Sequence, residues 1–259
     1  MARVLSALAI LPLVVGTIWF LPPLATLVLA EVVLLLAYRE YAALATGYGA
    51  SVCPGVTVVA VAAVAAAVAL DVTVVVLLAS SLTLGIVSLA SSRRRTQTLL
   101  DSAASLFPIL YLGLPIGALV AVRTSGGREA VLLLLATIMV SDTAQYYGGR
   151  WLGRTPLAPT ISPKKTVEGA LFGLAAGIAL MVLVVTPVLD QATVPRRALL
   201  GVAIVGLGIA GDLFESQLKR GAGVKDASTL IPGHGGMLDR IDSLLFAAPG
   251  FYLFLRLGP

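Results

Sequence analysis

Residues 129–147 read EAVLLLLATIMVSDTAQYY, an apolar run that ends in Ser141, Asp142 and Thr143. A run of this length is close to what an α-helix needs to cross the hydrocarbon core of a membrane. Eight similar stretches surround it along the chain. The expected spans are 4–20, 24–38, 55–70, 72–90, 103–121, 129–147, 168–188, 197–214 and 243–257. This pattern predicts an all-α polytopic integral membrane protein, a bundle of about nine transmembrane helices.

The overall composition supports this fold class. Of the 259 residues, 58% are hydrophobic and 12% are charged, about half the charged share of a soluble domain. The first run continues past Phe20 into Pro22-Pro23 without a convincing cleavage site, so we interpret it as a retained span and not as a signal peptide. The single cysteine, Cys53, excludes an internal disulfide. No basic run is interleaved with aromatic residues, so nucleic acid is not an expected partner.

The distribution of basic residues predicts the orientation. With nine spans, thirteen of the 18 Lys and Arg residues fall on the side of the N-terminus. The positive-inside rule places that side in the cytoplasm. We therefore expect a multi-pass protein of a bacterial-type cytoplasmic (inner) membrane, with its N-terminus inside. Residues 1–122 are interpreted as N-terminal spans and residues 123–259 as a C-terminal catalytic region.

Two polar segments of that region, 141–168 and 212–242, lie on the predicted cytoplasmic side. They contain all four lysines, the only histidine and seven of the 13 acidic residues. Ordinary solvated loops also collect charge, but the order of the residues in these segments favours an active site that faces the cytoplasm.

The second segment places acids and bases at helical spacing. Asp212, Ser216 and Lys219 share one helix face, and Asp239 and Asp242 are three residues apart at the entry to the last span. An ionisable residue where a span leaves the membrane is a functional candidate. Three carboxylates suit a hard cation such as Mg²⁺ and, with bases beside them, a metal–polyphosphate complex. The alternative for Asp239 and Asp242 is helix capping.

The loop before Asp239 reads Pro-Gly-His-Gly-Gly over 232–236. Its glycines allow the backbone to approach a phosphate closely. His234 has three open roles: it bonds a phosphate, acts as acid or base, or fixes the loop. In contrast, the G-x-G-x-x-G pattern at 206–211 lies within an apolar span, which favours tight helix packing over dinucleotide binding.

In the first segment, residues 162–166 read Ser-Pro-Lys-Lys-Thr and open the next span. Pro163 is expected near the helix start, with Thr166 as its cap. Two adjacent lysines, Lys164 and Lys165, at a helix N-terminus suit phosphate binding. The alternative is an interface anchor with snorkelling lysines.

These residues resemble a known family. The stretch from Ser216 to Asp242, with Lys219-Arg220, Lys225-Asp226, His234-Gly235-Gly236 and Asp239-Arg240, looks like the C-terminal signature of phosphatidate cytidylyltransferases, also called CDP-diacylglycerol synthases. The Ser141-Asp142-Thr143 and Ser162–Gly169 elements resemble the same family. The resemblance is strong over about 141–243, whereas the N-terminal half matches only in being spans. One departure is Gln145, where a small residue, usually alanine, is expected beside Asp142.

The resemblance implies transfer of CMP from CTP to phosphatidic acid, which gives CDP-diacylglycerol and pyrophosphate. It also implies Mg²⁺, a second cation such as K⁺, membrane lipids as partners, and a homodimer. The expected catalytic residues are Asp212, Asp239, Asp242, His234 and Lys219. The expected metal ligands are Asp212, Asp239, Asp242 and Ser216. The expected substrate-binding residues are Asp142, Ser162, Lys164, Lys165, Thr166, Arg220, Lys225, Asp226, Gly235, Gly236 and Arg240.

Two other functions are compatible with a polytopic membrane protein. A CTP-dependent lipid kinase would also be polytopic and bind CTP, but would not be expected to match the whole 216–242 stretch. A transporter would place acids deep in the membrane, whereas here the charge is densest at span ends. Glu31, within the second span, is an exception to this distribution that neither function explains.

Overall fold

A computed structural model of the chain describes residues 2–90, 97–184, 187–230 and 235–258. Within these residues the structure is almost entirely helical, which confirms the all-α membrane class. The helices are α1 Ala2–Phe20, α2 Pro23–Gly47, α3 Pro54–Ala69, α4 Thr73–Ala90, α5 Thr98–Pro108, α6 Leu114–Leu152, α7 Val167–Leu183, α8 Val194–Gly221 and α9 Leu238–Leu257.

The predicted span 168–188 extends past the end of α7 at Leu183, and its residues 185 and 186 lie outside the described residues. The other predicted spans fall on helices, but two of them share one helical stretch. A π-helical turn, Ile109–Gly113, joins α5 to α6, and the helix is interrupted only at Gly127, with φ 78° and ψ −176°. Three stretches of the described chain are long and apolar enough to cross a membrane, namely Thr73–Ala90, Thr98–Leu152 and Val194–Gly221. The count of nine crossings therefore stays a prediction.

The helices form two compact units. The first comprises Met1–Ala121 and Leu218–Arg240, and the second comprises Val122–Gln217 and Ile241–Pro259. The segment 218–240, which sequence analysis placed in the C-terminal region, thus groups with the N-terminal helices.

The first unit has an aliphatic core. Leu34 of α2, Val64 of α3 and Leu112 of the π-helical turn are fully buried. Gly117, in the first turns of α6, lies so close to α3 that a Cβ atom there would stand 2.6 Å from the carbonyl oxygen of Ala65. Close approach of helix backbones at small residues is typical of membrane bundles.

In the second unit, glycines of α8 allow close helix packing. A Cβ atom at Gly208 would stand 2.9 Å from Ile138 of α6, and one at Gly211 would stand 2.5 Å from the carbonyl oxygen of Asp242. Gly206 has open space around it. The packing interpretation of the 206–211 pattern is therefore confirmed at two of its three glycines.

A small hairpin in the second unit was not expected. Strand β1, Pro156–Ala158, pairs antiparallel with strand β2, Ser162–Thr166. Pro163, expected near the helix start, lies on β2 ahead of α7, which begins at Val167. A proline without an N–H group is tolerated on a two-stranded ribbon because one side of each strand is unpaired. The predicted cap is confirmed, because Thr166 Oγ1 accepts a hydrogen bond from the Gly169 N–H, 3.1 Å away.

Candidate active site

Four carboxyl groups of the second unit, here called the acidic cluster, act on one another electrostatically. Asp142 lies on α6, Asp212 and Glu215 on α8, and Asp242 on α9. The charges of Asp212, Glu215 and Asp142 all act on the carboxyl group of Asp242. Like charges repel strongly where water is scarce, so the acidic cluster favours the binding of cations.

The hairpin brings one cation to this cluster. Lys165 lies on β2, and its Nζ atom forms an ion pair with Oδ2 of Asp212. The side chains of Lys165 and Asp212 are 23% and 29% exposed, while the Nζ atom of Lys165 is itself buried. Ser216 Oγ lies 3.5 Å from Oδ1 of the same aspartate. Lys165, predicted to bind phosphate, and Asp212, predicted to bind metal, are direct partners in the structure.

The base of the hairpin is fixed by Glu168. Its carboxylate accepts hydrogen bonds from the Arg154 N–H, 3.0 Å away, and from the N–H and Oγ1 of Thr155. A carboxylate bound by several donors at a helix start is a rigid anchor. This anchor sets the position from which β2 presents Lys165, half-buried Ser162 and exposed Lys164.

Gln145, the departure from the family pattern, supports Asp142. Its Nε2 atom donates hydrogen bonds to Asp142 Oδ1, 3.1 Å away, and to Ser141 Oγ, 3.2 Å away. The side chain fits because Gly173 of α7 faces it, and any Cβ atom there would overlap Cγ of Gln145. The larger residue is thus accommodated by a glycine on the neighbouring helix.

The first unit has a second lysine–aspartate pair. Lys219 Nζ forms an ion pair with Asp239 Oδ1, and both side chains are nearly buried. Asp239 Oδ2 also accepts the N–H groups of Gly236 at 2.7 Å and Ala227 at 3.1 Å. The capping alternative therefore describes part of what Asp239 does, because the residue bonds backbone N–H groups beside the start of α9.

The pKa of Asp239, which precedes the predicted span 243–257, lies below its ordinary value. Burial alone would raise this pKa, but hydrogen bonds from Lys219, Gly236 and Ala227, with the Lys219 charge, lower it by more. The carboxylate is therefore held in its charged form.

Glu40, near the end of α2, is a functional candidate that sequence analysis missed. It is only 5% exposed. Its Oε1 atom accepts hydrogen bonds from Ser228 Oγ at 2.6 Å and from the Met237 N–H at 2.8 Å. Its Oε2 atom accepts the Leu238 N–H at 2.7 Å. A charged pair, Arg39-Glu40, just beyond the predicted span 24–38 was the available signal, but its partners lie nearly 200 residues away.

In the 232–236 loop, Gly235 and Gly236 are glycines because the carboxylates of Asp239 and Glu40 lie against them. Gly235 has φ 78°, a conformation that favours glycine, and a Cβ atom there would stand 2.6 Å from Asp239 Oδ2. A Cβ atom at Gly236 would overlap the carboxylate of Glu40. Both glycines therefore make room within the protein, a role separate from the predicted approach to phosphate.

The remaining predicted residues of this region lie on the surface of the first unit or outside the residues that the structure describes. Arg220 donates a hydrogen bond to the Val224 carbonyl oxygen at 3.1 Å. Lys225, Asp226 and Arg240 are exposed. His234 lies outside the described residues.

The acidic cluster suits a divalent metal by the chemistry of its donors, since Mg²⁺ prefers carboxylate oxygens. Across the described ranges, no three Asp, Glu, His or Cys side chains are already arranged around a metal position. The fit therefore rests on donor type and mutual repulsion, and the groups that would hold the ion in this unit are Asp142, Asp212 and Asp242. The assignment of Asp239 as a metal ligand stays a prediction.

The fold and these clusters define a class, the helical membrane proteins that carry clusters of lysine and carboxylate side chains. A family model described as the cytidylyltransferase family matches residues 1–258. The chain belongs to the cytidylyltransferase family. The match extends well beyond 141–243, so the N-terminal helices are part of the family resemblance too.

Individual relatives agree with this family. A phosphatidate cytidylyltransferase of Helicobacter pylori (strain ATCC 700392 / 26695) is 41% identical over 151 residues, which cover 58% of this chain and 56% of that protein. One of Synechocystis sp. (strain PCC 6803) is 47% identical over 131 residues, 51% of this chain and 44% of the relative. The uncharacterized protein YnbB of Escherichia coli (strain K12) is 44% identical over 131 residues, again 51% and 44%. The matches thus span about half the length of these relatives.

Proposed function

We propose that the protein transfers CMP from CTP to phosphatidic acid and releases CDP-diacylglycerol and pyrophosphate. The observation that carries this proposal is the acidic cluster with Lys165 paired to Asp212, in a chain of the cytidylyltransferase family. The names of the Helicobacter and Synechocystis relatives support the lipid substrate.

In this reaction an oxygen of the phosphatidate phosphate forms a bond to the α-phosphorus of CTP. The bond from that phosphorus to the oxygen bridging to the β-phosphate breaks, and pyrophosphate leaves with the electron pair. A phosphate monoester has a second pKa of about 6, so it is mostly doubly ionised at neutral pH. The attacking oxygen therefore needs no strong general base.

The protein's own groups position and neutralise phosphates. Lys165 is held by β2 beside the acidic cluster, and we assign it to the CTP phosphates together with Lys164. We also assign Lys219, Arg220 and Lys225 to phosphate binding. Asp142, Asp212 and Asp242 would hold Mg²⁺, which would offset charge on the phosphoryl oxygens and the leaving pyrophosphate. We retain a second cation such as K⁺ and a homodimer as further proposals from the resemblance.

The location of the substrates fits the membrane. CTP is a soluble nucleotide, whereas the phosphate of phosphatidic acid stays at the interface. The lysine-bearing segments lie on the predicted cytoplasmic side, so we propose a bacterial-type cytoplasmic membrane protein with its site facing the cytoplasm. A transporter is disfavoured because the charge is densest where the predicted spans end.

The decisive experiment supplies purified protein in phosphatidate-containing vesicles with Mg²⁺ and CTP labelled at either the α- or the γ-phosphorus. We expect α-label in the lipid product and γ-label in pyrophosphate. Transfer of γ-label to the lipid would instead identify a CTP-dependent kinase. The matched control is the Asp212→Asn variant, which should incorporate neither label.

A further inference from the structure

We propose that Glu40 is a positioning residue, whose buried carboxylate holds Ser228 to the start of α9 and so keeps Asp239 in place for its ion pair with Lys219. The inference rests on the proposed function for its catalytic consequence, but the positioning itself is a property of the first unit. No motif assigned on the sequence includes this residue.

The carboxylate of Glu40 is fixed by hydrogen bonds to residues that precede and begin α9. Burying a carboxylate costs several kcal/mol unless donors satisfy it. Here three donors do so, at 2.6–2.8 Å, from Ser228, Met237 and Leu238. Such charge-assisted hydrogen bonds are about twice as strong as neutral ones, so the loop and α2 hold each other.

Glu40 also acts as the cap of α9 from another part of the chain. Leu238 is the first residue of α9, and its N–H group is one of those that a helix leaves without a partner. The negative charge also lies at the positive end of the helix dipole. Glu40 therefore sets where α9 begins and, through that, where Asp239 stands.

Residues 227–230 are held to the start of α9 by two carboxylates, those of Glu40 and Asp239. Ser228 Oγ donates to Glu40 and accepts the Leu230 N–H at 3.1 Å. Asp239, in the first turn of α9, accepts the N–H group of Ala227, the residue before Ser228, and forms the ion pair with Lys219. Two carboxylates thus anchor the same loop, and releasing Glu40 leaves the Lys219–Asp239 pair without one of its two supports.

The test uses Glu40→Gln, which removes the charge and turns an amide NH₂ toward an N–H donor. Its matched control is Glu31→Gln, the same chemical change on the same helix but away from the loop. Ser228→Ala is a milder variant that removes one of the three bonds. All three are made in the full-length protein and assayed in phosphatidate vesicles.

Hydrogen–deuterium exchange gives a readout that does not depend on activity. In Glu40→Gln we expect the Met237 and Leu238 amides to exchange about ten- to a hundredfold faster, the equivalent of one lost charged hydrogen bond. Ser228→Ala should show about a threefold increase. Exchange within twofold of wild type in Glu40→Gln, or the same increase in Glu31→Gln, would overturn the proposal. If Glu40→Gln does not fold, unchanged exchange in Ser228→Ala would overturn it too.

The kinetic readout separates positioning from general stability. We expect kcat for α-label transfer to fall about tenfold in Glu40→Gln, with KM for CTP within threefold and an unchanged circular dichroism spectrum. An unchanged kcat with faster exchange would refute the catalytic consequence. A wild-type protein that forms no CDP-diacylglycerol, but shows the exchange effect, would refute the proposed function and leave the positioning role intact.

Discussion

The two units each contain a lysine–aspartate pair, yet the surroundings of the pairs differ. In the first unit Asp239 is saturated, because Lys219 and two backbone N–H groups bind it. In the second unit Asp212 bonds Lys165 and stands among other carboxylates. A saturated carboxylate shapes a loop, whereas a crowded one favours the arrival of a cation. Asp212 and Asp239, although both belong to the motifs of one family, can therefore have different roles.

We expect the largest effect when the Lys165–Asp212 pair is broken. Asp212→Asn removes the charge that Lys165 and a metal would share, so we expect CDP-diacylglycerol formation to fall about a thousandfold. Several kcal/mol of transition-state stabilisation is at stake, and each 1.4 kcal/mol is about a factor of ten. The measurement is α-label incorporation in phosphatidate vesicles.

The matched control for this variant is Asp190→Asn, the same change at an exposed aspartate of the second unit, which should retain wild-type turnover. Titration with Mn²⁺, followed by electron paramagnetic resonance, supplies a binding readout. Affinity equal to wild type in Asp212→Asn would remove this residue from the metal site.

We expect the next largest effect when the support of the Lys219–Asp239 pair is disturbed. In Gly236→Ala the new methyl group overlaps the Glu40 carboxylate, so loop and helix must separate at a cost of about 1–3 kcal/mol. We expect turnover to fall about tenfold or more, with faster amide exchange at Met237. Gly55→Ala is the control, since open space surrounds Gly55. Wild-type turnover in Gly236→Ala would show that the loop tolerates displacement.

A third variant tests what Lys165 binds. Lys165→Ala removes one charged partner of the CTP phosphates, worth about 1.5–3 kcal/mol, so KM for CTP should rise about tenfold. Steady-state kinetics with varied CTP measure this, and exposed Arg150→Ala serves as the control. If KM and kcat both stay unchanged, Lys165 is an interface anchor and its ion pair is incidental.

The smallest effect sharpens the comparison at Asp142. Gln145→Ala restores the small residue expected from the family but removes the hydrogen bonds to Asp142 and Ser141. We expect turnover to fall about threefold, the equivalent of about 0.65 kcal/mol, because only part of the energy of the two lost hydrogen bonds is used to orient Asp142 for the reaction. An increase in turnover would mean that Gln145 restrains Asp142 unfavourably. Parallel assays of Gln97→Ala, outside both segments, give the baseline.

Local chemistry made much of this structure predictable. Apolar runs located the helices because lipid requires every backbone group to be bonded within its own segment. Thr166 was identifiable as a cap and the 206–211 glycines as packing residues because both signals act within a few positions. The resemblance located the charged residues for the same reason, since motifs are contiguous in sequence.

Long-range contacts were not predictable in this way. The hairpin of 156–166 has no apolar periodicity, and Pro163 suggested a helix start. The ion pair of Lys165 with Asp212 joins residues that a whole helix separates. Glu40 reads as an ordinary charge after a span, because its three donors appear only when the chain has folded.

The contact of Glu40 with Gly236 also bears on how this protein can be recombined with its relatives. A chimera that exchanges residues 1–121 keeps the motif residues 216–242 unchanged. It nevertheless replaces Glu40, the side chain that accepts hydrogen bonds from three of those residues. The exchange is neutral only when the donor sequence supplies a carboxylate at the position of Glu40. The first helices are therefore not an interchangeable membrane anchor, because α2 carries the carboxylate of Glu40, which leaves room only for a glycine at position 236.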